Sequence, residues 1–99
     1  MTDLEKIKQI LQAQKPYLYH KYGVTEIGVF GSYVRGEQNA DSDLDILISL
    51  TDPPRISLLG LVSLEHYLSD LLELKVDVAL KGNLKKRIGR RILQEVEAV

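Results

Sequence analysis

Residues 43–50 alternate without a fault, with Asp43, Asp45, Leu47 and Ser49 on one side and Leu44, Ile46, Ile48 and Leu50 on the other. A pleated strand sends successive side chains to opposite faces, so this stretch reads as a strand with one apolar face against a core. That strand needs partners for its backbone and a cover for its apolar face, and the rest of the chain has to provide both. Residues 75–80 give a second alternating strand, with Val76, Val78 and Leu80 opposite Asp77 and Ala79. Ile27, Gly28, Val29 and Phe30 read as a third, short and buried.

The covering elements are helical. Thr2 and Glu5 have capping-box spacing ahead of Leu4, Ile7, Ile10 and Leu11. Pro16 is expected to break or kink this helix near Gln14, leaving a second piece over residues 16–22 that Gly23 ends. Residues 32–37 read as a helical turn and 36–42 as a polar loop. Thr51, Asp52, Pro53 and Pro54 form a turn. Residues 57–74 are apolar at helical spacing, with Gly60 a weak point, and 81–83 turn the chain. A last helix over 84–96 carries Ile88, Ile92, Leu93 and Val96. The order α-β-α-β-α-β-α predicts an α/β (α+β) fold with a small mixed sheet of about three strands flanked by helices. At 99 residues the expectation is one small domain, 1–99.

A formal net charge of −1 argues against a chain that wraps a nucleic-acid backbone, so no stable nucleic-acid binding is expected. The absence of cysteine removes disulfides and thiolate metal sites and suits a reducing cytoplasm. The first six residues carry charges of both signs, unlike a signal peptide, and no apolar run approaches the roughly 20 residues that span a bilayer.

Asp43 and Asp45 leave the same strand face, where two carboxylates repel unless a cation or a shared proton compensates. Oxygen ligands without nearby His or Cys suit Mg²⁺ or Mn²⁺ rather than zinc. Asp77 interrupts an apolar strand, and it joins the same face if the two strands are neighbours. Three carboxylates can hold two metal ions for an in-line phosphoryl displacement. Taken singly, each aspartate reads first as the solvent face of a strand.

Gly31 and Ser32 end one strand and open a helical turn. Backbone N–H groups at such a point donate to phosphate; Gly31 permits close approach, Ser32 adds a hydroxyl, and Arg35 adds a positive charge one turn on. A plain turn with Ser32 as helix cap is the competing reading. The spacing joins the two features: Gly31-Ser32, ten intervening residues, then Asp43-x-Asp45.

That pattern resembles the Gly-Ser-x₁₀-Asp-x-Asp motif of the DNA polymerase β-like nucleotidyltransferase superfamily. The stretches Ile27-Gly28-Val29-Phe30-Gly31-Ser32-Tyr33-Val34-Arg35-Gly36-Glu37 and Asp41-Ser42-Asp43-Leu44-Asp45-Ile46-Leu47-Ile48, with Lys75-Val76-Asp77-Val78, are similar to the minimal nucleotidyltransferase (MNT) proteins over nearly the whole chain. The resemblance implies an antitoxin that moves AMP from ATP to a tyrosine hydroxyl of a HEPN-domain RNase toxin, with which it would associate. It further implies that Asp43 and Asp45 ligate two Mg²⁺ ions, that Asp77 ligates the one activating the acceptor, and that Gly31 and Ser32 contact the β- and γ-phosphates, assisted by Arg35. A non-catalytic antitoxin and nucleotidyl transfer to RNA or a small molecule are the alternatives. With so little chain outside the triphosphate site, acceptor choice is expected to come from a partner.

The remaining features are less directive. Lys85, Lys86, Arg87, Arg90 and Arg91 form a basic cluster, balanced by Glu95 and Glu97, that reads as a solvated helix face or a ligand for phosphate, RNA or an acidic partner. His20 and His66 read as surface or packing residues. Tyr17, Tyr19 and Tyr22 are expected to pack the first helix, and Tyr33 to line the nucleotide pocket. The helix over 57–74 is apolar on more than one stripe, so part of it is a candidate partner surface.

Overall fold

A computed structural model describes residues 3–83 and 86–99. Its elements are α1 (Asp3–Tyr22), β1 (Val24–Phe30), α2 (Ser32–Arg35), β2 (Leu44–Leu50), α3 (Leu58–Leu72), β3 (Val76–Leu80), a 3₁₀ turn (Lys81–Asn83), α4 (Lys86–Glu95) and β4 (Glu97–Ala98). The strands form one mixed sheet in the order β3-β2-β1-β4, with β2 parallel to β3 and antiparallel to β1. This is the expected architecture with a fourth strand added: β4 pairs antiparallel to β1 through Gly28↔Ala98 and Val29↔Glu97. Two residues are too few for an alternation to be read, which is why β4 was invisible as pattern.

The apolar face of β2 carries the core. Leu44, Ile46 and Ile48 lie beside Ile27 and Val29 of β1 and Val76 of β3, all buried under α1 and α3. Ile7, Leu11, Leu18 and Tyr22 of α1 and Leu64 and Leu68 of α3 fill that layer. The two helices are tied together where the Tyr67 hydroxyl donates to Gln14 Oε1 at 2.6 Å and the Tyr17 and Tyr67 rings meet at 5.1 Å.

Pro16 does not end the first helix as expected; α1 runs through it for 20 residues. An interior proline costs about 3 kcal/mol through its missing N–H and ring clash. Burying one leucine is worth about 1.5–3 kcal/mol, and Leu18 (1% exposed) and Tyr22 (4%) both lie beyond Pro16 in the same core as Leu11. Tertiary packing therefore outweighs the local penalty. The helix stops where Gly23 takes φ +75° and its N–H bonds to the Tyr19 carbonyl at 2.9 Å.

α3 begins and ends inside the expected 57–74. The Ser57 hydroxyl caps it by accepting from the Gly60 N–H, and Glu73 closes it in the left-handed region at φ +54°. Ser69 and Glu65 of α3 also reach the outer edge of β3: Ser69 Oγ accepts from the Val76 N–H at 3.1 Å, and Glu65 Oε2 from the Val78 N–H at 3.0 Å. The last helix ends at Glu95, one residue before the expected 96. Its expected start at Leu84, and Lys85 of the basic cluster, lie outside the described residues, as do the side chains of Lys86, Arg87 and Ile88. No helix among the described residues is long and apolar enough to cross a membrane.

Candidate active site

The second face of the sheet carries Phe30 and Gly28 of β1 opposite Asp45 and Leu47 of β2, with Asp77 and Ala79 of β3 alongside. The parallel register pairs Asp45 directly with Asp77. Asp43 lies just before β2, two residues from Asp45 and so on the same side, where Lys75 Nζ comes to 3.9 Å of its carboxylate. The structure thus brings the three aspartates named from sequence to one end of one face.

Gly31 is built against Asp45. It follows β1 with φ +82° and ψ −154°, a region essentially open only to glycine. A Cβ there would stand 2.1 Å from Asp45 Oδ2 and 3.3 Å from Asp45 Cβ. The chain then makes the single turn of α2, held by the Val34 and Arg35 N–H groups bonding to the Gly31 carbonyl. Gly31, not Ser32, is the cap residue, and no side chain caps the turn. Ser32 is the first helical residue, and its hydroxyl has no hydrogen-bond partner among the described residues. Tyr33 points the other way: at 7% exposed it belongs to the core under α1, not to the nucleotide pocket expected of it.

A cavity of about 290 Å³ opens here, lined by Phe30, Gly31, Arg35, Asp45, Arg91, Ile92 and Glu95. Glu95, the last residue of α4, enters it from 64 positions away in sequence. Its Oε2 accepts from the Gly31 N–H at 2.9 Å, and its Oε1 accepts from Arg35 Nη1. Nothing in the sequence marked Glu95 as part of this site; only the fold brings α4 over the Gly31 turn.

The electrostatics follow from the crowding. Burial pushes the Asp45 carboxyl above its ordinary value, Asp77, Asp43 and Glu95 add to the rise, and Arg35 opposes it. Burial also acts to raise Glu95, but the hydrogen bonds from Gly31 and Arg35 outweigh it and hold this carboxyl low. Arg35 is held more firmly protonated by Glu95 and by Glu37, which bonds its Nε at 3.1 Å.

Among the described residues no three His, Asp or Glu side chains close around a point as a finished metal cage. Mg²⁺ does not require one, since it characteristically binds one or two carboxylates together with substrate phosphates. The donors here are hard oxygens, and burial together with the nearby Asp77 and Asp43 carboxylates disfavours an ionised Asp45, a cost that a divalent cation would relieve. The residues therefore fit the ion.

Because the folded state binds the Asp45 proton more tightly than the unfolded chain, Asp45 stabilises only as pH falls through its raised value and is a net cost when ionised at neutral pH. Asp45→Asn should therefore raise the thermal midpoint at pH 7 without divalent ions, on the order of a few degrees. The gain should shrink in acid. A lower midpoint for the variant at pH 7 would contradict this.

Comparison with known proteins agrees with the fold. A family model described as a nucleotidyltransferase domain matches residues 4–99. The protein adenylyltransferase MntA of Thermococcus cleftensis is 51% identical over 96 residues, covering 97% of this chain and 95% of that protein. A solved structure assigned as a minimal nucleotidyltransferase superposes with a TM-score of 0.81 at 31% identity, over 99% of this chain and 97% of the other. One chain of a complex between a tri-AMPylated HEPN toxin of Shewanella oneidensis and an MNT antitoxin gives a TM-score of 0.61 at 19% identity, over 97% and 67%. At that identity the last likeness is one of fold.

Proposed function

The chain belongs to the nucleotidyltransferase domain family, among the protein adenylyltransferases, and on that premise we propose that it moves AMP from ATP, with Mg²⁺, to a tyrosine hydroxyl of a HEPN-domain toxin and so acts as its antitoxin. The observation that carries the reading is the register of Asp45 on Asp77 beside a glycine that only a Cβ-free residue can occupy. A structural neighbour that is an MNT antitoxin bound to an AMPylated HEPN toxin supports the choice of acceptor. The proposed setting is the cytoplasm, and the proposed unit is one domain spanning 1–99.

Asp43, Asp45 and Asp77 would hold the metal, and Gly31, Ser32 and Arg35 the β- and γ-phosphates. What Mg²⁺ supplies there when bound is neutralisation of charge on the transferring phosphoryl group and a lowered pKa for the attacking hydroxyl. The Gly31 N–H, the Ser32 hydroxyl and the Arg35 guanidinium would hold the triphosphate at the end of the sheet where the aspartates stand. The acceptor oxygen then bonds to the α-phosphorus, the bond to the pyrophosphate oxygen breaks, and the acceptor proton is lost to solvent.

The test incubates the protein and a HEPN partner with Mg²⁺ and ATP labelled at the α- or the γ-phosphate. Label from the α-position alone should reach the partner, and it should be lost when the partner's acceptor tyrosine is replaced by phenylalanine. Label from the γ-phosphate, or none, would overturn the proposal.

A further inference from the structure

Glu95 already holds two of the groups assigned above to the triphosphate. Its carboxylate takes the Gly31 N–H at 2.9 Å with one oxygen and the Arg35 guanidinium with the other. A backbone N–H makes one good hydrogen bond, and a carboxylate and a phosphate, both anionic, cannot share this one without repulsion. A carboxylate presenting two oxygens to an N–H and an arginine reproduces the contacts a phosphate would make there.

We propose that Glu95 is an internal mimic of the nucleotide's phosphates, which an incoming triphosphate must displace, so that binding is a competition within the protein. The inference rests on the nucleotide reading of Gly31 and Arg35. The surrounding backbone is fixed: the Val96 N–H bonds to the Ile92 carbonyl at 2.8 Å, β4 is paired with β1, and the Val99 N–H bonds to the Ile27 carbonyl at 3.0 Å. Displacement is therefore a rotation of the Glu95 side chain and needs no movement of α4. Arg35 keeps Glu37 as a partner when Glu95 leaves. Arg91, one turn back on α4 and lining the same cavity, is a cation toward which the freed carboxylate can turn. The arrangement keeps the phosphate turn formed in the absence of nucleotide and scales apparent affinity down to the fraction of time the turn is free of Glu95.

Calorimetric titration of the whole chain with ATP and Mg²⁺, and separately with inorganic tripolyphosphate, tests this. Glu95→Gln should bind both about 5–30-fold more tightly than wild type, since the competition is at the phosphates. Glu95→Asp keeps the charge but withdraws it by one methylene, and should gain less. Glu97→Gln removes a charge from the neighbouring β4, where Glu97 pairs with Lys8 at 3.1 Å, and should change affinity by no more than about twofold. If wild type binds and Glu95→Gln binds equally or more weakly, Glu95 is a prop for the turn and the inference is overturned alone. If neither binds ATP, the nucleotide reading itself fails and takes the inference with it.

Discussion

Replacing Asp43 and Asp45 together by asparagine is expected to reduce AMP transfer by at least about 10³-fold while leaving the fold intact. Both side chains lie on the sheet face away from the core, so neither change opens a cavity. Asparagine keeps the shape but removes the charge that would hold the metal. The loss should appear in kcat as well as in KM, because the missing interaction strengthens as charge develops on the phosphoryl group. A second readout separates this from misfolding: Mg²⁺ should raise the thermal midpoint of the wild type and leave that of the double variant unmoved. Transfer within tenfold of wild type would rule these carboxylates out of the chemistry.

The second large effect belongs to Gly31→Ala. The new methyl would meet Asp45 Oδ2 at 2.1 Å, and rotating the carboxylate away does not resolve the 3.3 Å approach to Asp45 Cβ. The backbone there also lies in a region that costs a side-chain-bearing residue about 1–3 kcal/mol. The variant should lose several degrees of thermal midpoint and at least about 100-fold in activity, since it turns aside the carboxylate at the centre of the site. Gly36→Ala is the control: Gly36 also has positive φ, at +71°, but a Cβ there meets nothing within 4 Å. It should cost about 1 kcal/mol of stability and little activity. Equal activity losses in the two variants would mean that strain, not contact with Asp45, explains Gly31.

The contrast between what the chain announced and what it withheld is physical. β2 and β3 were legible because period-two alternation over five or more residues has one structural meaning, and their pairing then put Asp77 beside Asp45. Gly31 was legible because a glycine between a strand and a helical turn marks a conformation other residues avoid. The passage of α1 through Pro16 was not, because propensity is local while the burial of Leu18 and Tyr22 is decided by a sheet that does not exist until the chain folds. Tyr33 neighbours Ser32 in sequence, yet a one-turn helix points consecutive side chains in different directions and sends this one into the core. Glu95 had no local signal at all; its role arises from 60 residues of separation closed by tertiary structure.

The outer border of β3 has a bearing on how an acceptor arrives. Asp77 lies on the strand at that end of the sheet, and an uncovered strand invites an extended peptide to zip onto it. Here the outward amides of Val76 and Val78 are already taken by Ser69 and Glu65. A visiting chain meets those two amides already bonded, which disfavours its pairing along β3. An acceptor is therefore expected to meet the aspartate face as the tip of a loop or the side of a helix, not as an added strand. Recognition is then expected to rest on shape and side-chain contact, and a loose extended peptide carrying the acceptor residue should be a poor substrate.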